Sequence, residues 1–158
     1  MIFSSQHKAK GIFILSLWIT TYIFSFATRA DTISLATLEA FSSHLHELSY
    51  QSPNYLQAFL SEDLIVEVNL GSSAQGVSMV YNKNEYLQLQ EKITPNHKYK
   101  EYLKYLDVQI YNHIVTSPTS GQFNVVSYSR ATRKKVWATY EVEQLDNKLK
   151  IVKIIEEM

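Results

Sequence analysis

The sequence predicts an α+β domain, and three observations carry that reading. Apolar residues first recur at helical spacing, Leu35, Leu38, Phe41, Leu45 and Leu48. Later ones alternate with polar residues, the period of strands. Near the end, Asp146-Asn147 separates two alternating runs whose facing residues match in charge and in hydrophobicity. The composition agrees: 158 residues, 46% hydrophobic and 13% aromatic with only four Gly and three Pro, exclude a disordered or collagen-like chain. The absence of Cys from the sequence excludes a disulfide scaffold, thiolate zinc or iron-sulfur sites and a cysteine nucleophile.

Residues 1–30 read as a secretory signal peptide. Lys8 and Lys10 precede an apolar run from Gly11 to Ala27, and Thr28 and Ala30 are small residues suited to cleavage after Ala30. The alternative is an uncleaved inner-membrane anchor, because seventeen residues at ~1.5 Å each nearly span the hydrocarbon layer. Thr20, Thr21 and Ser25 weaken that reading. Both readings export residues 31–158, which are enough for one core and not for two. Lys8, Lys10 and Arg29 leave with the leader, so the exported part carries twelve basic against fifteen acidic residues, a net charge of −3. Such a domain has no general attraction to nucleic acid or anionic lipid. The sequence has no Asn-x-Ser/Thr acceptor, which fits a bacterial secreted or periplasmic protein.

In the exported part the apolar stripe predicts a first helix of about sixteen residues from Thr32. Ser52-Pro53 predicts the start of a short second helix using Leu56, Phe59 and Leu60, ended by Ser61-Glu62-Asp63. Alternation from Leu64 to Leu70 predicts a strand, Gly71 to Gly76 a loop, and Val77 to Tyr81 a second strand. Asn82 and Glu85 form a capping box for a third helix with Tyr86, Leu89 and Ile93 on one face, stopped by Thr94-Pro95-Asn96. A long strand from Tyr99 to Val115 then puts Leu106, Val108, Ile110 and Ile114 on one face, with Asp107, Gln109, Tyr111 and His113 on the other. Strands Phe123 to Arg130 and Val136 to Leu145 follow, then the hairpin. Placing Leu145 opposite Lys148 sets Glu143 against Lys150 and Val142 against Ile151, and it puts Trp137, Val152 and Ile154 on one outer face. Helices first and an antiparallel meander last make a single α+β domain.

The order of helix, short helix, FLSEDLIVEVNLG (Phe59 to Gly71), YNKNEYL (Tyr81 to Leu87) and closing strands VWATYEVEQLDNKLKIVKI resembles the nuclear transport factor 2-like superfamily, of the SnoaL-like and ketosteroid isomerase-like kind. The resemblance covers nearly all of the exported part. It implies a cone: a curved antiparallel sheet of four to six strands wrapping three N-terminal helices around a pocket, with possible dimerisation through the outer sheet face. The superfamily includes ketosteroid isomerase, polyketide cyclases and many binding modules. In ketosteroid isomerase the general base follows a Val-Glu pair, matched here by Val66-Glu67, so its position falls on Val68. Valine cannot accept a proton, which argues against that chemistry. The resemblance carries the isomerase's protonated acid to Glu141 and its helix-one Tyr to near Phe41 or His44.

Function is therefore expected to be binding of a small apolar ligand or of a protein partner, in a cone lined by Phe41, Leu45, Phe59, Leu106, Ile110 and Tyr140. The alternatives are a lyase, isomerase or hydrolase using Glu141, His113 or Asp63, and a membrane-tethered component of secretion-system assembly. Each candidate has a plainer reading: Glu141 as a wet sheet residue, Asp63 as part of a polar turn, His113 as one of a polar strand row. His44 and His46 lie about 200° apart on a helix and cannot chelate one metal from one face, and no cofactor is expected. Gly71 to Gly76 lacks nucleophile-elbow spacing, and Arg130, Arg133, Lys134 and Lys135 read as a solvated hairpin tip. Pocket shape separates the readings: an open cavity bringing Glu141 or His113 to a second acid or base favours an enzyme, a cone filled by its own side chains a protein-interaction role.

Overall fold

Six strands form one sheet in the order β2-β1-β6-β5-β4-β3. The computed structural model describes residues 32–52, 54–71, 76–93, 106–129 and 134–158, and Thr32–Met158 make one compact unit. The strands are β1 (Leu60–Leu70), β2 (Val77–Asn82), β3 (Leu106–Ser117), β4 (Ser120–Ser129), β5 (Lys134–Leu145) and β6 (Lys148–Glu157). Helix α1 spans Leu35–Ser49 and α2 spans Lys83–Ile93. The expected signal peptide, the strand start before Leu106 and the cations at Arg130 and Arg133 lie outside the described residues, as does the Leu106 side chain.

The α2 capping box and the hairpin turn form where they were expected, while α1 starts at Leu35, later than the expected Thr32, behind an N-cap that was not expected. Ser34 caps α1, its Oγ accepting from Thr37 N at 3.1 Å. The α2 capping box closes both ways: Asn82 Oδ1 accepts from Glu85 N at 3.1 Å and Glu85 Oε2 from Asn82 N at 2.9 Å. Asp146 and Asn147 adopt φ of 50° and 60°, the left-handed pair of a type I′ turn, and Leu145, Glu143 and Val142 face Lys148, Lys150 and Ile151.

Five expectations change. The sheet is mixed and not all antiparallel, because β1 runs parallel to β6. The chain enters β1 from α1 and reaches its neighbour β6 only at the C-terminus, so α2 and four strands supply the long connection a parallel pair requires. Among the described residues there are two α-helices in place of the expected three N-terminal ones, with α2 following β2; the expected second helix is a 3-10 turn, Tyr55–Ala58, and Leu60 already opens β1. On α2, Tyr86 is buried whereas Ile93 is 61% exposed.

The last two changes are bulges. Between Tyr111 and Ile114 the β3 register slips, with Asn112 at φ 56°. One extra residue turns His113 to the face of Ile110 and Ile114 to the face of Tyr111, opposite to the expected alternation. A second slip sets Lys153 opposite Glu141 while Ile151 stays opposite Val142, leaving Val152 unpaired. Ile154 therefore swings from the expected outer face into the core, fully buried, and Ile155 joins Trp137 outside.

Both helices pack on one face of the sheet around a single core that includes Leu38, Leu45, Val66, Val68, Tyr86, Phe123, Val142, Ile151 and Ile154. Gly121 permits the close approach of α1: a Cβ there would stand 2.9 Å from Leu38 Cδ2 and 3.1 Å from the Ile114 carbonyl oxygen.

Candidate functional site

The centre of the helix-bearing face is filled by aromatic rings. Phe123 stacks on Tyr140 at 5.4 Å and 3°, His113 covers Phe123 at 5.7 Å and 27°, and Phe41 meets Phe123 edge-on at 6.5 Å. The bulge at Asn112 is what delivers His113 to this stack. His113 Nε2 lies 2.8 Å from Ser42 Oγ, and the Ser42 hydroxyl donates to the Glu39 carbonyl at 3.0 Å. Ser42 oxygen is then the acceptor and Nε2 carries the proton, the reverse of what an activated serine needs. With Ser42 also buried, the pair pins α1 to β3.

A second cluster lies along the same face. Glu156 follows Ile154 on β6, opposite Val68 of β1 and Ala138 of β5. Tyr86 of α2 donates its hydroxyl to Glu156 Oε1 at 2.8 Å. Burial raises the Glu156 carboxyl above the ordinary 4.5, and the Tyr86 hydrogen bond pulls the other way with less effect. Burial first, then neighbouring phenols and Glu156, pushes the Tyr86 and Tyr140 phenols well above 10. This is a carboxyl biased toward its neutral form, flanked by phenols that stay protonated.

An open groove of about 440 Å³ lies between α1, the 3-10 turn and the start of β6. Thr37, Ala40, Phe41 and His44 fall three and four residues apart and present one stripe of α1 to it. Phe59 forms the opposite wall, edge-on to Phe41 at 5.7 Å and to His44 at 5.9 Å. Ile151 N donates to the Phe59 carbonyl at 2.8 Å, which ties the turn to β6 and fixes that wall. Leu149 adds apolar surface, and Lys148 and Lys150 stand at the rim, with Lys150 Nζ donating to the Ala58 carbonyl at 2.6 Å.

The structure disperses the residues singled out from sequence. Phe41 and Phe59 line the groove; Leu45 is buried, and Tyr140 and Ile110 pack against the core. Val68, at the position of the isomerase base, is a buried core residue. Glu141 is on the outer face of β5, opposite Lys153, and Asp63 is an exposed residue of β1. Glu141, His113 and Asp63 are thus not brought together. Sequence reasoning missed Glu156, because alternation without the Val152 bulge aims it outward. It missed the groove because Ala40 and Ala58 signal only by being small. Among the described residues no group of three His, Asp or Glu side chains could hold a metal.

The fold has clear structural counterparts. A nuclear transport factor 2-like protein of unknown function from Methylobacillus flagellatus superposes with TM-score 0.58 over 82% of this chain and 98% of that one, at 12% identity. A similar protein of unknown function from Silicibacter pomeroyi gives 0.56 over 78% and 98%, at 8% identity. A third, from Shewanella oneidensis, gives 0.53 over 73% and 95%, at 19% identity. The chain therefore has the nuclear transport factor 2-like fold. No family model matches it, and no curated protein matches it in sequence.

Proposed function

We propose that residues 31–158 are an exported, non-catalytic binding domain, and that the binding surface is the groove between α1 and β6. The observation that carries this reading is the groove itself: about 440 Å³ of apolar space, within the roughly 300–1,000 Å³ usual for small-ligand sites. The filled aromatic centre alone would favour a protein-interaction role. A specific protein interface, however, engages roughly 20–30 residues a side, more than this groove supplies. Catalysis has less support, since Val68 stands at the base position and Glu141 faces away from Tyr86 and Glu156.

Native mass spectrometry of protein purified from its own host tests the reading. A copurified small molecule, lost in an Ala40→Trp variant that fills the groove, supports it; a ligand retained by that variant places binding elsewhere. Export rests on the Lys8, Lys10 and apolar-run pattern of the leader. Intact mass beginning at Asp31 in the exported fraction supports cleavage, whereas a retained Met1 extracted only by detergent supports an anchor. Self-association through the outer sheet face is a second partner reading, favoured by the exposure of Trp137 there.

A further inference from the structure

Resting on the reading of the groove as the binding surface, we propose that its occupant is a small amphipathic anion: a single-chain carboxylate whose apolar body lies along Phe41, Phe59 and Leu149. Ala40 and Ala58 are short, so the space between these apolar walls is left for the ligand. The charged part of the lining is one-signed: Lys148 and Lys150 stand at the rim, and no Asp or Glu is among the lining residues.

The nearest acids lie outside the groove lining. Glu62 pairs with Lys83 at 2.7 Å, and that hydrogen bond and charge, with a smaller pull from Lys150, hold the Glu62 carboxyl below its ordinary value. Glu143 stands directly opposite Lys150 on the same face of the β5–β6 ladder, outside the groove lining, so of the two rim cations Lys148 is the one without a facing acid. The Ala58 carbonyl holds the Lys150 ammonium at the rim and uses one of its three hydrogens, so two remain for an anion. The Lys148 ammonium makes no hydrogen bond or ion pair among the described residues. These cations belong to an exported domain of net charge −3, so their attraction is local to the groove and not part of a general basic field. A head held here and a tail on the phenylalanines use both halves of the lining; a neutral or cationic amphiphile uses only one.

Titration calorimetry of the purified full chain with dodecanoate, 1-dodecanol and dodecyltrimethylammonium, each below its micelle concentration, tests the proposal. Dodecanoate is expected to bind about fivefold or more tightly than dodecanol, the scale of exposed charge pairs, with the difference shrinking at high salt. Lys148→Gln with Lys150→Gln should bring dodecanoate to the affinity of dodecanol and leave dodecanol unchanged; Lys148→Gln alone should lose part of the difference, without touching the Ala58 contact. Ala40→Trp should abolish both. Equal affinity for the three probes, or tightest binding of the cation, overturns the anionic occupant while the groove reading stands. Binding of none, with folding confirmed by circular dichroism, overturns both and leaves the groove to a partner protein.

Discussion

Among the described residues, Glu156 is a carboxyl whose burial runs against what its type prefers. A carboxyl on the helix-bearing face, between Val68 and Ala138, is stabilised in its neutral form, and its folded-state value lies above 4.5. Protonation therefore stabilises the fold: the contribution is complete below 4.5 and is lost as pH rises through the folded-state value. Urea midpoints measured from pH 4 to pH 8 should fall across that window for this group. Glu156→Gln, which keeps an acceptor for Tyr86, should flatten the fall and be the more stable protein at neutral pH. Tyr86→Phe removes the hydroxyl that supports the charged form, so its cost should be about 1–3 kcal/mol at pH 7 and smaller near pH 4. Equal pH profiles for wild type and Glu156→Gln would show that the carboxyl titrates as an exposed one.

At the scale of elements, the position of α1 on the sheet depends on one missing side chain and one left-handed residue. Gly121→Ala presses a methyl against Leu38 and against a backbone oxygen that cannot move aside, and should cost about 1–3 kcal/mol in denaturant unfolding. Asn112→Val puts a β-branched residue at φ 56°, also removes the Asn112 Nδ2 to Asn124 Oδ1 bond of 2.8 Å, and should cost about 1–2 kcal/mol; Asn112→Gly should cost less. The bulges at Asn112 and Val152 also mark where sequence stops being legible. The α2 capping box, the Asp146-Asn147 turn and the Glu143–Lys150 register depend on neighbours a few residues away and are read correctly, whereas Ser52 does not cap the 3-10 turn, whose N-cap position is Asn54. A bulge depends on how a strand must bend over packed helices, which no local spacing records. Past each bulge the faces exchange, which is why His113 and Ile154 moved inward and Glu156 went unnoticed. The parallel β1–β6 pair joins opposite ends of the domain and leaves no local signal either. Of the site, Phe41 and Phe59 were legible as apolar lining, whereas the groove between them depends on the short Ala40 and Ala58 and on a wall tied to β6 by the Ile151–Phe59 backbone bond.

For the whole molecule, the face opposite the helices decides how the domain meets its surroundings. Trp137 is 43% exposed there under the Lys135 ammonium, 5.2 Å from the ring centroid, and Tyr111, Tyr128, Ile65 and Val80 are exposed on neighbouring strands. These apolar groups are interspersed with both signs of charge, such as the Lys153–Glu67 pair at 3.0 Å. A twofold pairing of such a face sets apolar rows against each other and lets each protomer's acids meet its partner's lysines. A stable pairing must cover roughly 1,200–2,000 Å² in total, so it has to engage several strands and bring Trp137 near its centre. Sedimentation over a micromolar concentration series should accordingly show a monomer–dimer equilibrium. Trp137→Glu should shift it to monomer, because two added carboxylates would then face each other across the axis. The same substitution removes a partly covered ring opposite Val126 and its Lys135 contact, so unfolding free energy measured where the wild type is monomeric should fall by about 1 kcal/mol while the fold stands. A wild type that sediments as monomer throughout leaves this face to water and withdraws the dimer; a dimer that survives Trp137→Glu moves the interface to another surface.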